Sequence, residues 1–161
     1  RKPKIDTVLP IVPRPKGRLR MSKKGHAYTP PETRKWEAQC CAILAQHTPA
    51  EPLDGPLIMD VLFVLPRPGY MCKKDRAGKL KHESGLQWKY SKADLDNLWK
   101  SLKDAISLAK WWRDDCQVTC GVLLKCYAEL DGDARIEVMV SEAGDTPESI
   151  WMTTRAQRGS R

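Results

Sequence analysis

The stretch that decides the fold is KADLDNLWKSLKDAISLAKWWRDDCQV, residues 92–118. From 95 to 109 its leucine, isoleucine and alanine side chains recur every three or four residues, which is the spacing of one buried helix face. Acidic residues are the minority charge in this chain, with 20 Asp and Glu against 28 Lys and Arg. They nevertheless gather where this helix should begin and just after it should end. We therefore predict a helix over 94–109 with carboxylates at both ends.

The segments around this helix predict a sheet. The run LIMDVLFVL (57–65) lies between Gly55-Pro56 and Pro66 and indicates a buried strand. The other predicted elements are a strand over 5–12, a helix over 31–47, and strands over 117–127 and 134–140. The order β-α-β-α-β-β predicts an α+β fold, in which two main helices pack on one face of a mixed β-sheet.

Length and composition favour one domain in a chain of 161 residues. We predict this domain over 1–143, with a basic loop inserted over 66–92 and a flexible C-terminal tail over 144–161. No apolar run approaches the ~20 residues of a membrane helix, and the start lacks the apolar core of a signal peptide. The six cysteines contain no CxxC pair, so we interpret them as reduced thiols of a cytoplasmic protein.

A formal net charge of +8 favours an anionic partner, nucleic acid first. Two basic segments are candidates for phosphate contacts, because neither shows the periodicity of a core element. The candidate DNA-binding residues are Lys16, Arg18, Arg20, Lys23 and Lys24 in the first segment and Lys73 and Lys74 in the second. Plain solubilising charge is the alternative interpretation of both segments.

The acidic residues can converge only with particular backbone geometry. Asp94 and Asp96 diverge in a helix interior, but they approach each other if Asp94 is extended and Asp96 lies in the first turn. A helix over 96–108 is about 18 Å long, and residues 109–115 span about 23 Å when nearly extended. Asp115 can therefore reach the helix start within one subunit with little slack, or it can serve the site of a partner subunit.

Three such carboxylates offer the oxygen ligands that Mg²⁺ or Mn²⁺ prefers. Lys100, one turn after Asp96, is placed to stabilise charge on a phosphate or to protonate a leaving oxygen. We expect Asp104 to orient Lys100 through an i,i+4 ion pair. The alternative is a solvated helix face with an Asp cap, two salt bridges and an acidic turn at 114–115.

These residues resemble the signature of the RusA-type Holliday junction resolvases, the crossover junction endodeoxyribonucleases. The signature stands here as Asp94-Leu95-Asp96-Asn97-Leu98-Trp99-Lys100, then Asp104, then Trp112, then Asp114-Asp115-Cys116-Gln117-Val118. A similar N-terminal element stands as Pro13-Arg14-Pro15-Lys16-Gly17-Arg18-Leu19-Arg20, followed by Tyr28-Thr29-Pro30. The resemblance covers about residues 8–142. One departure is Ala93, where many relatives have proline.

The resemblance implies a Mg²⁺-dependent homodimer, in which Mn²⁺ can substitute, that nicks two strands of a four-way DNA junction symmetrically in recombination and repair. It implies that Asp94, Asp96 and Asp115 are the catalytic, metal-binding acids and that Lys100 is the catalytic lysine. It implies a protein that needs no small-molecule cofactor and binds no membrane. It further implies an enzyme that acts in the cytoplasm of a bacterial host cell and that a phage or prophage can encode.

Two other functions fit the same residues. The first is a metal-dependent nuclease on other branched or flapped DNA. The second is a non-catalytic basic DNA-binding module, against which the presence of Asp94, Asp96, Lys100 and Asp115 together counts. Trp111 and Trp112 are core or interface residues in our interpretation, with stacking on unpaired bases as the alternative.

Overall fold

The computed structural model of this protein describes residues 2–17, 20–144 and 146–159. Its strands are β1 (Ile5–Leu9), β2 (Arg20–Met21), β3 (Ala27–Tyr28), β4 (Leu57–Leu65), β5 (Gln87–Trp88), β6 (Val118–Cys120), β7 (Leu123–Tyr127) and β8 (Arg135–Glu142). Its helices are α1 (Pro31–Leu44), α2 (Leu95–Leu108) and α3 (Pro147–Gly159). The α+β class and the mixed sheet are as predicted.

The main sheet has the strand order β1-β8-β4-β7-β5, and β6 pairs with the first part of β4. β4 is antiparallel to β8 and parallel to β6 and β7. Strands β2 and β3 form a separate two-stranded hairpin. β4 is central because it is buried along almost its whole length, and its bounds match the predicted strand over 57–65.

One face of the sheet carries α1 and α2. Alternate residues of β4, from Leu57 to Leu65, are buried against Trp36 and Leu44 of α1 and against Leu102 of α2. The apolar stripe of α2 that the sequence predicts is the face that is buried here, and the charged residues of α2 lie on its other side. The sheet thus fixes which side of α2 faces solvent.

The predicted strand over 117–127 is two strands, β6 and β7, and that prediction was wrong. The break lies at Gly121, where an added Cβ would meet the carbonyl oxygen of Met59 at 1.8 Å. Only glycine permits this close approach of two backbones. Beyond it, the Val122 amide donates to Asp60 Oδ1 at 2.8 Å, and the chain then re-enters the sheet as β7.

Two other predicted segments contain more structure than the sequence indicates. The loop over 66–92 includes β5, which adds an edge strand beside β7. The Arg67 guanidinium ties this loop to the sheet by donating to the carbonyls of Gly85 at 3.0 Å and Ala128 at 3.2 Å. The segment over 144–161, predicted as a flexible C-terminal tail, contains the helix α3. No helix in the described ranges is long and apolar enough to span a bilayer.

Candidate active site

The candidate site begins at the junction between the segment over 91–94 and α2. Asp94 precedes the helix in extended backbone, with φ −72° and ψ 139°, and Asp96 lies in the first helical turn. Lys100 Nζ lies 3.3 Å from Asp96 Oδ2, and all three side chains are exposed. This is the local geometry that the sequence predicts for Asp94 and Asp96. Their carboxylates stand at the positive end of the α2 dipole, beside backbone N–H groups that suit a phosphate.

Asp104 has a different partner from the predicted one. Its carboxylate pairs with Lys16, whereas Lys100 pairs with Asp96. The backbone N–H of Lys16 also donates to the carbonyl of Asn97 at 3.0 Å. The N-terminal basic segment therefore runs along α2, and Asp104 holds that segment in place instead of orienting Lys100.

Asp115 pairs with a lysine of α2 and forms no three-carboxylate group with the acids at the start of that helix. It lies in a 3₁₀ turn (Asp115–Gln117), and its Oδ2 is 2.8 Å from Lys103 Nζ. Among the residues that the structure describes, no group of three or more His, Cys, Asp or Glu side chains is placed to hold a metal ion. Within one copy, Asp94, Asp96 and Asp115 therefore do not form a complete site for the cation that the sequence analysis implies.

Gln117 fixes the turn that carries Asp115, a role that the sequence analysis missed. Its Oε1 accepts from the backbone N–H groups of Arg113 at 2.9 Å and Asp114 at 3.0 Å. Its Nε2 donates to the carbonyls of Leu53 and Gly55, both at 3.1 Å. The two bonds to Oε1 close the acidic turn on itself, and the two bonds from Nε2 join that turn to the segment before β4. The signal in the sequence was the capping pattern of Asp114 followed three residues later by Gln117.

The electrostatics of the turn keep Asp114 ionised. Its side chain accepts from the Cys116 amide at 2.8 Å. Hydrogen bonds from Cys116 hold the pKa of Asp114 below its usual value, and the same carboxylate raises the pKa of the Cys116 thiol. Cys116 is therefore a poor nucleophile at neutral pH.

The two tryptophans are core residues. Trp111 is fully buried and donates its Nε1–H to the carbonyl of Leu44 at 3.0 Å. Trp112 is buried and donates to Ser107 Oγ at 2.8 Å. Stacking of this pair on bases is excluded by their burial, and the interpretation as core is confirmed.

The predicted DNA-binding residues fall in three places. Lys16 lies beside α2, as described above. Arg20 lies on β2, and Lys23 and Lys24 lie in the turn between β2 and β3, all exposed. Lys73 and Lys74 are exposed on the loop that follows Cys72. Arg18 lies outside the described residues.

A second lysine that the sequence analysis missed lies next to the candidate acids. Lys125 Nζ, on β7, donates to the carbonyl of Ser91 at 2.9 Å and to the carbonyl of Ala93. These carbonyls belong to the segment that ends at Asp94. Lys125 therefore positions the first candidate acid against the sheet.

Comparison with known proteins agrees with the resemblance in the sequence. Residues 10–141 match the family model described as Endodeoxyribonuclease RusA. A Bacillus subtilis (strain 168) protein named "Uncharacterized protein YqaN" is 33% identical over 129 residues, which is 80% of this chain and 87% of that protein. A protein of Lactococcus phage r1t, named "Crossover junction endodeoxyribonuclease rusA", is 39% identical over 56 residues, 35% of this chain and 40% of the phage protein.

Proposed function

Because this chain belongs to the RusA endodeoxyribonuclease family, we propose that it is a Mg²⁺-dependent enzyme that resolves four-way DNA junctions by paired symmetric nicks. The observation that carries the proposal is the constellation at the start of α2. There Asp94 precedes α2 in extended backbone, Asp96 follows in the first turn, and Lys100 lies 3.3 Å from Asp96. These groups are exposed beside a helix N-terminus, where a phosphate can approach them.

The chain's own groups suggest roles at a scissile phosphate. The Lys100 ammonium can turn from Asp96 towards the phosphate, where it would stabilise the charge that builds on the oxygens. Asp94 and Asp96 supply the carboxylate oxygens for a bound cation. Mg²⁺, or Mn²⁺ in its place, would neutralise charge and lower the pKa of the attacking water when bound.

A homodimer is part of the proposal. Two symmetric cuts require two sites related by a twofold axis. The surroundings of Asp115 support it, since this residue pairs with Lys103 and forms no three-carboxylate group with Asp94 and Asp96 in the described part of one chain. Asp115 then reaches the acids either by leaving Lys103 or from a second copy of the chain.

The test is cleavage of a labelled four-way junction beside linear duplex and flap substrates, with Mg²⁺ or with EDTA. We expect paired symmetric nicks on the junction alone, and only with metal. Equal or faster cleavage of the flap would assign the enzyme to other branched DNA. Tight junction binding without nicks in Mg²⁺ or Mn²⁺ would contradict the catalytic proposal.

A further inference from the structure

The segment before Asp94 contains a buried lysine among hydroxyl groups. Lys89, which follows β5, has only 9% of its surface exposed. Its Nζ lies 3.0 Å from Ser91 Oγ and 3.2 Å from the hydroxyl of Tyr127, and 4.7 Å from the centre of the Tyr127 ring. Ser91 Oγ and the Tyr127 hydroxyl are themselves 3.1 Å apart. We call Lys89, Ser91, Lys125 and Tyr127 the lysine-tyrosine cluster.

The positive charge of this cluster has no ion-pair partner among the described residues. In the described part of the chain, neither Lys89 nor Lys125 forms an ion pair with a carboxylate. A buried ammonium without a counter-ion is costly, because removal from water penalises the charged form. The hydrogen bond from Ser91 lowers the pKa of Tyr127, and the two neighbouring lysines lower it further. The cluster therefore suits an anion.

The hydrogen-bond inventory of the cluster also leaves donors over. Each ammonium has three N–H donors, and Lys89 and Lys125 each use two of them. Of the two hydroxyl groups, one donates to the other, which leaves one O–H group to donate elsewhere. The groups left over are mainly donors, and Ser91 is exposed, so the cluster is open to solvent on that side. A ligand with several acceptor oxygens and negative charge satisfies them.

The flanking residues point to nucleic acid as the source of that anion. Trp88 and Tyr90 lie on either side of Lys89 in the sequence and are 72% and 96% exposed. Two exposed aromatic rings beside a cationic cluster are the combination that binds unpaired nucleotides, through stacking and phosphate contacts. Ser91 is three residues from Asp94, a span of at most about 11 Å.

We propose that the lysine-tyrosine cluster binds a DNA backbone phosphate next to the scissile one, with Lys89 as its central ligand. This rests on the proposed function, since it takes the scissile phosphate to lie at Asp94 and Asp96. Lys125 has a double role, because it also holds the carbonyls before Asp94. Lys89 makes no such contact with that backbone and therefore reports phosphate binding alone.

The experiment measures binding of a synthetic four-way junction to the full chain in EDTA over a series of salt concentrations. The binding constant falls as salt is added, and each phosphate contact makes the slope of log K against log salt steeper by about 0.9. We expect Lys89→Met to make this slope shallower by about 1 and to weaken junction binding about tenfold at low salt. Tyr127→Phe removes a donor but no charge, so it should weaken binding two- to threefold with an unchanged slope. Lys110→Met is the matched control, because Lys110 is exposed beyond the opposite end of α2.

Junction binding tests the phosphate site at Lys89, whereas junction cleavage tests the proposed function, so failure of one can be told from failure of the other. A wild-type protein that binds the junction but does not cut it would contradict the catalytic proposal, and the slopes would still decide whether Lys89 contacts phosphate. A Lys89→Met protein that folds, cuts slowly and keeps the wild-type slope and affinity would overturn the phosphate site, since it would show a positioning role. Folding is checked by circular dichroism.

Discussion

Lys103 Nζ lies 2.8 Å from Asp115 Oδ2. The lysine ammonium therefore forms an ion pair with a carboxylate that is proposed to help bind a metal ion. Lys103 is 18% exposed in its side chain and lies beside the Trp99 ring, with Nζ 6.0 Å from the ring centre. The pair therefore competes with any divalent cation for Asp115. Partly exposed ion pairs of this kind stabilise by roughly 0.2–1 kcal/mol.

Removal of this competing ammonium should ease cation binding. We expect Lys103→Met to lower the Mg²⁺ concentration for half-maximal junction cleavage about two- to fivefold, because Asp115 no longer has to leave an ion pair. The measurement is a Mg²⁺ titration of the cleavage rate, with Lys110→Met as the control for loss of one positive charge. An unchanged or higher Mg²⁺ requirement would show that Lys103 does not compete.

Asp96→Asn tests the carboxylate at the start of α2. We expect cleavage to fall by roughly 10³-fold, which is within the range for loss of a group that acts on the transition state. Junction binding should be kept or become tighter, because a negative charge facing phosphate is removed. Rates and affinities are measured on the same junction. Glu148→Gln is the control, since Glu148 is exposed in the first turn of α3. Full cleavage by Asp96→Asn would rule out the metal assignment.

Gln117→Glu tests whether the side-chain amide fixes the acidic turn. The carboxylate can still accept from Arg113 and Asp114, but it cannot donate to the carbonyls of Leu53 and Gly55. A partly buried charge against two carbonyls should destabilise the fold by about 2–3 kcal/mol. Urea unfolding measures this, and junction cleavage should fall with it because Asp115 loses its support. Wild-type stability would show that water replaces the lost donor.

The stability of the fold in acid should depend on the ion pair between Glu129, in the connection from β7 to β8, and Arg135 of β8. Glu129 accepts from the Arg135 guanidinium at 2.9 and 3.0 Å, which lowers the pKa of Glu129 from 4.5 to about 2. A lowered pKa in the folded state gives stability that is fully present above pH 4.5 and is lost as the pH falls towards 2. Glu129→Gln should therefore destabilise at pH 7 but much less near pH 2. Urea midpoints at both pH values measure this, with exposed Glu148→Gln as the control. An equal loss of stability at both pH values would show that the ionised form of Glu129 does not contribute to stability.

The parts of the fold that sequence predicts well are those set by local periodicity. β4 is an uninterrupted apolar run between glycine and proline, and α2 has an apolar stripe with an acidic start, so both were placed within a residue or two. The short strand β5 has two residues and no periodicity of its own, and only pairing with β7 makes it a strand. The break at Gly121 had a local signal, a glycine inside an apolar run. Its cause, the approach of Met59, is nonlocal.

The site shows the same division. Extended backbone at Asp94 and the first-turn position of Asp96 follow from the helix start, which is local. The partners of Asp104 and Asp115 depend on which lysine lies nearby in space, and helix spacing predicted Lys100 where the structure has Lys16 for Asp104. The length of the segment over 109–115 showed that Asp115 can reach the start of α2, but it did not predict where the Asp115 side chain lies. The cluster around Lys89 needed the β5–β7 pairing before its members came together.

Complementation between two inactive variants distinguishes the two ways in which Asp115 can join the acids. Asp96→Asn and Asp115→Asn should each be inactive alone. If each site takes Asp96 from one copy and Asp115 from the other, a mixed dimer contains one intact site, because the two wild-type residues meet there. If each site lies within one chain, both sites of the mixed dimer are damaged. Since Asp94, Asp96 and Asp115 form no metal-binding group within the described residues of one chain, we expect the mixture to recover single nicks.

The measurement is made after co-expression with two different tags and purification of the doubly tagged protein. Recovery should approach half the wild-type number of nicks, with each junction cut on one strand, because only one site of two is intact. The control mixture is Asp96→Asn with Lys110→Met, which always keeps one intact site in either arrangement and so calibrates the single-nick signal. Absence of nicks from the Asp96→Asn and Asp115→Asn mixture, beside a positive control, would place each complete site within one chain. Asp115 would then have to leave Lys103 before the acids can act together.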